Sequence, residues 1–124
     1  MKNVLLVGAG GFAGSVVRYL VALAVPFSGT GFPFATFAVN LLGAFLIGFI
    51  AELALSTTLI SPEIRLLLTT GFCGGFTTFS TAMYETSGLM RDGEVLYASL
   101  YVAGSLVGGL VCIVFGTLLA KLWQ

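Results

Sequence analysis

Asn40, Thr77, Thr78, Ser80, Thr81, Tyr101 and Ser105 are neutral hydrogen-bonding residues set in an otherwise apolar sequence, with Arg18 and Glu85 as charged outliers. No pair among them makes a nucleophile with its base, and histidine, the commonest general base and metal ligand, is absent. Enzymatic chemistry therefore has no support. What remains is a set of O–H and N–H donors, which can replace the water around an ion without trapping it by a full charge. Most of the set lies in one run, Gly71-Phe-Cys-Gly-Gly-Phe-Thr-Thr-Phe-Ser-Thr81. Each interior glycine costs a helix about 1 kcal/mol relative to alanine. The run therefore predicts a helix break at Gly74-Gly75, whose free carbonyls suit a desolvated monovalent cation. Thr77 or Thr78 would cap the half-helix that follows. The alternative is an unbroken helix whose glycines serve packing and whose hydroxyls bond back to the preceding turn.

Other segments add donors. Thr36, Asn40, Gly43, Ala44 and Gly48 fall three or four residues apart on one helix face. The Asn40 amide needs a partner at that depth, and an interhelical bond that only joins helices is the alternative to an ion contact. Tyr97, Tyr101, Ser105, Gly108 and Cys112 share a second face. Phe72, Phe76 and Phe79 offer ring edges, the electropositive part of the aromatic quadrupole. Arg18 lies about 10 Å from the end of its segment at 1.5 Å per residue. It reads as an interfacial anchor or as the charge of an anion-attracting vestibule, while Glu52 and Glu85 lie near opposite segment ends. Cys73 and Cys112 read as small packing residues.

These groups need elements to carry them, and composition says where those elements sit. Of 124 residues, 58% are hydrophobic and 8% charged, with a mean hydropathy of +1.10, too little polarity to cover a water-facing surface. Five basic against five acidic residues leave no basic field, which excludes a nucleic-acid partner. The reading is a single all-α domain, residues 1–124, in a lipid bilayer. At about 20 apolar residues per crossing, four spans follow, near 3–25, 34–56, 63–87 and 95–121. Loops fall at 26–33, 57–62 and 88–94, and the first span reads as retained rather than as a cleaved leader. Lys2, Arg65 and Lys121 face Arg18 and Arg91 across the membrane, an almost even split: either other signals orient the chain or it inserts both ways, and an antiparallel dimer is expected from dual insertion. The 17 glycines form small-xxx-small pairs, Gly10/Gly14, Ala44/Gly48, Gly71/Gly75, Gly104/Gly108 and Gly116/Ala120, which predict close helix packing.

The Gly71–Thr81 run resembles the signature of the Fluc (CrcB-type) fluoride channels, in which a similar run breaks the third helix. Gly10-Gly-Phe-Ala-Gly14 leading to Arg18, Thr36-Phe-Ala-Val-Asn40-Leu-Leu-Gly43 and Tyr101-Val-Ala-Gly-Ser105 extend the likeness over the whole chain. The resemblance implies four transmembrane helices with a broken third, in an antiparallel dual-topology homodimer of the bacterial inner membrane. It implies passive export of cytoplasmic fluoride through two pores, with a structural sodium ion on the dimer axis. Residue by residue, it assigns sodium to the carbonyls of Gly74 and Thr77, and the fluoride path to Asn40, Phe79, Tyr101 and Ser105. A polar track maps to Thr78, Ser80, Thr81 and Glu85, and the vestibule arginine to Arg18. One position departs: the second phenylalanine of the family's pair is Ala82 here, followed by Met83, which is polarizable and can fill part of the vacancy. The competing readings are a proton-coupled small four-helix exporter, which needs a central carboxylate, and a non-transporting packing subunit.

Overall fold

A computed structural model describes residues 1–27 and 31–123; Ser28, Gly29 and Thr30 of the expected 26–33 loop, and Gln124, lie outside the described residues. The described residues are helical throughout, apart from short connections. Three helices, α1 (Lys2–Ala24), α2 (Phe34–Ser56) and α6 (Val95–Lys121), are long and apolar enough to cross a membrane. The 27 residues of α6 span about 40 Å. That exceeds the ~30 Å hydrocarbon core, so its ends reach the interfaces. Their boundaries follow the expected spans: Pro33 precedes α2, which ends at the polar Ser56-Thr57-Thr58 run, and Glu94 and Lys121 bracket α6.

Between α2 and α6 the chain is not one rod. Helix α3 (Pro62–Leu66) starts where the Ser61 side chain accepts the Ile64 N–H, with Pro62 and Glu63 in its first turn. A π-helical stretch (Leu67–Cys73) follows, then a single turn, α4 (Gly74–Phe76). The backbone then becomes extended at Thr77 (φ −81°, ψ 156°) and Thr78 (φ −150°, ψ 121°) before α5 (Phe79–Arg91).

Two expectations are corrected here. The break lies at Thr77-Thr78, not at Gly74-Gly75, since Gly74 is right-handed helical (φ −63°, ψ −36°). The third segment also runs to Arg91, so the expected 88–94 loop shrinks to Asp92, Gly93 and Glu94, with Gly93 at φ +77° making the turn. Polar residues at Glu85, Thr86 and Ser87 made the end of the apolar run look like the end of the helix.

Gly71 and Gly75 of the third segment serve packing. A Cβ on Gly14 would collide with the Phe72 carbonyl, and one on Gly75 with the Gly11 carbonyl. The Gly10/Gly14 and Gly71/Gly75 pairs thus dock on each other, seating α1 on the π-helical stretch at backbone contact. Gly48 meets the Ile113 carbonyl and Gly116 the Phe45 carbonyl, which seats α2 on α6 in the same manner. A small core of Ala82, Leu89, Ala98 and Tyr101, with Phe32 and Phe37 packed on it, joins α5 to α6.

Candidate functional site at the helix break

An extended pair of residues inside apolar surroundings strands its amides and carbonyls, and their partners define the site. The Asn40 side chain takes both groups of Thr78: its Nδ2 donates to the Thr78 carbonyl at 3.0 Å, and its Oδ1 accepts the Thr78 N–H at 2.8 Å. Asn40 therefore imitates a neighbouring strand. The expected interhelical bond exists, but it closes the break rather than merely joining two helices. One amide proton of Asn40 is left over.

Thr78 caps α5, its Oγ1 accepting the Thr81 N–H at 3.2 Å and donating to Thr81 Oγ1 at 3.0 Å. Across the gap, the Gly75 carbonyl accepts Arg18 Nε at 3.0 Å and Ser15 Oγ at 3.4 Å. Arg18 is thus neither purely an interfacial anchor nor a free vestibule charge. It closes the C-terminal end of α4, where the helix dipole favours a cation. Cys73 accepts both the N–H and the Oγ1 of Thr77.

Three cavities meet at this break. The first, about 540 Å³, is lined by Asn40, Thr77, Thr78, Phe79, Ala82, Met83 and Ser105 among others. The Ser105 hydroxyl is buried and, among the described residues, has no hydrogen-bond partner. The second, about 130 Å³, holds Arg18, Thr36, Thr78, Thr81 and Glu85. Glu85 there accepts Tyr101 Oη at 2.6 Å and Thr36 Oγ1 at 2.8 Å, so both carboxylate oxygens are engaged. The third, about 430 Å³, is lined by Asn40, Gly43, Thr69, Thr70, Cys73, Gly74 and Thr77. Thr78 belongs to the first two and Asn40 and Thr77 to the first and third.

The expected residues therefore divide. Asn40, Phe79, Ser105, Ala82 and Met83 come together in one cavity, and Thr81, Glu85 and Arg18 in another. Tyr101 is buried at 1% exposure and reaches the second group through Glu85. Phe79 is 76% exposed on this chain, and Ser80 stands apart, its Oγ only 3.5 Å from Thr78 Oγ1. Sequence reasoning missed Ser15 as a site residue and did not pair Thr36 with Glu85. Thr36 was legible as a polar residue on the Asn40 face; Ser15 carried no signal.

Gly74 and Thr77 are the residues whose carbonyls the sequence resemblance assigns to a cation. In an unbroken helix the Thr78 N–H would bond the Gly74 carbonyl, but it is diverted to Asn40. A Cβ on Gly74 would meet nothing within 4 Å, so this face of the turn is open. Hard, neutral carbonyl oxygens at the end of a half-helix are the donors a monovalent cation takes within a membrane. The residues fit the group.

Residues 5–117 match the family described as CrcB-like protein, Camphor Resistance (CrcB). The chain is 90% identical over 124 residues to a protein of Chlorobaculum tepidum named fluoride-specific ion channel FluC, covering 100% of this chain and 98% of that one. Proteins of the same name from Chlorobium phaeobacteroides (66% identical, covering 96% of this chain and 93% of the relative) and Geobacter sulfurreducens (55%, covering 85% and 86%) extend the match. Together with its apolar spanning helices and the interrupted segment, these likenesses make the chain a multi-pass membrane protein that belongs to the CrcB-like family.

Proposed function

We propose that this chain is a fluoride-selective channel that lets cytoplasmic fluoride leave passively across the bacterial inner membrane. The observation that carries the reading is the Thr77-Thr78 break, stapled by Asn40 at the meeting point of three cavities. A strongly hydrated anion must exchange water for other donors to cross. The leftover Asn40 amide proton, the unpartnered Ser105 hydroxyl and the Phe79 ring edge are neutral donors lining the same cavity. Arg18 adds positive charge to the adjoining cavity without blocking the first. The proton-coupled exporter reading weakens in turn, because both oxygens of Glu85 are tied to hydroxyl donors.

The working unit of this proposal has four crossings per chain, the interrupted 62–91 segment being the third. It is an antiparallel homodimer with two pores. Phe79 and the open face of Gly74 support a second copy, since both lie exposed on a single chain. Two such copies would offer the carbonyls of Gly74 and Thr77 twice over, and a sodium ion held by them would supply fixed positive charge on the dimer axis. Fluoride efflux from proteoliposomes, with chloride as the control anion, tests the transport claim. Rapid loss of fluoride with chloride retained is expected, and equal loss of both contradicts it. Replacing sodium by potassium on both sides should lower the efflux rate; an unchanged rate would remove sodium from the proposal.

A further inference from the structure

Glu85 is held from two directions, by Thr36 of α2 and by Tyr101 of α6, and neighbouring positions of α2 bear on both. Thr36 bonds the carboxylate directly, while Phe37, the next residue, lies against the ring of the second donor, Tyr101. Three rings form one cluster there. Phe32 meets Phe37 edge-on at 5.1 Å and 83°, and Tyr101 at 5.5 Å and 70°. Phe37 closes the triangle on Tyr101 at 6.3 Å and 60°. Gly104, one turn along α6 from Tyr101, makes the seat: a Cβ on it would come within 3.3 Å of Phe37 Cε2. Ala82 sits in the same core, 5% exposed, and its small side chain leaves the space to these rings.

Burial alone would not aim the Tyr101 hydroxyl. A ring packed edge-on by Phe32 and at a tilt by Phe37 is restricted in both torsions, and so restricted its O–H meets Glu85 Oε2 at 2.6 Å. A short, charge-assisted bond of this kind is lost by a small tilt of the ring. The carboxylate would then regain a free oxygen beside Thr78 and Thr81 in the second cavity.

We infer that Phe37 is a positioning residue of the ion path, acting through Tyr101: with Phe32 it forms the wall that holds the Tyr101 hydroxyl on Glu85. The inference rests on the fluoride-channel reading. The test is fluoride efflux per folded channel for Phe37→Leu, Tyr101→Phe and the double variant. Phe37→Leu is expected to slow efflux about tenfold, a barrier change of about 1.4 kcal/mol. In the Tyr101→Phe background the same substitution should add nothing, because the hydroxyl it aims is already gone. The Tyr101 Raman doublet, isolated by difference against Tyr101→Phe, should report a weaker donor in Phe37→Leu. Gly104→Ala, which pushes the Phe37 ring tip without deleting it, should give a smaller loss with the same non-additivity, and serves where Phe37→Leu does not fold. Full efflux in the folded single variants, an unchanged doublet, or losses that add in the double variant would overturn the inference. A wild-type protein without fluoride efflux would instead overturn the channel reading.

Discussion

At the scale of single residues, Ala82 shows how the fold reinterprets a small side chain. Its place beside Leu89, Ala98 and Tyr101 at 5% exposure makes it a core residue as well as part of a cavity wall. Ala82→Phe is therefore expected to overpack the contact between α5 and α6, costing about 1–3 kcal/mol, and to lower fluoride efflux. Thermal unfolding in detergent and efflux at matched protein density check this; higher efflux with unchanged stability would show a vacancy waiting for a ring. Asn40 was legible as a polar residue needing a partner, and Thr78 as a cap, because both follow from local chemistry. That the partner of Asn40 is the backbone of Thr78, 38 positions away, was not legible, since no local pattern encodes that meeting.

At the scale of elements, the break was expected from glycines and is made by threonines. Local propensity counts each glycine as a helix breaker, yet here α1 packs backbone to backbone on Gly71 and Gly75 and keeps them helical. Two consecutive β-branched residues, Thr77 and Thr78, whose χ1 is crowded in a helix, come just after Gly75-Phe76. With Asn40 satisfying the freed amide, the chain extends there instead. The π-helical stretch escaped sequence reading for the same reason: its register answers to α1, not to its own residues. Gly14→Ala should accordingly destabilise the protein by about 1–3 kcal/mol, because its Cβ strikes the Phe72 carbonyl. Gly88→Ala, where a Cβ meets nothing within 4 Å, should not. Similar unfolding temperatures for the two variants would contradict the docking of α1 on the π-helical stretch.

At the scale of the whole molecule, the long spans were legible because lipid demands length and apolarity, and both are written in composition. The proposed assembly stands on a different kind of observation, surfaces that a single chain leaves open, Phe79 among them. The near-even charge split is the one sequence feature that speaks to it. Two lysines added between Asp92 and Glu94 should orient every copy one way and reduce efflux, and coexpression with an oppositely biased copy should restore it. Full efflux from the biased protein alone would argue for parallel assembly. The central claim, that fluoride crosses at the break closed by Asn40, is tested most directly by Asn40→Asp. The substitution replaces the donor on the Thr78 carbonyl by a carboxylate oxygen and sets a negative charge in the cavity shared with Phe79 and Ser105. Fluoride efflux from proteoliposomes should be fast and chloride-excluding for the wild type, and should collapse for folded Asn40→Asp. Wild-type efflux rates in that variant would contradict the account.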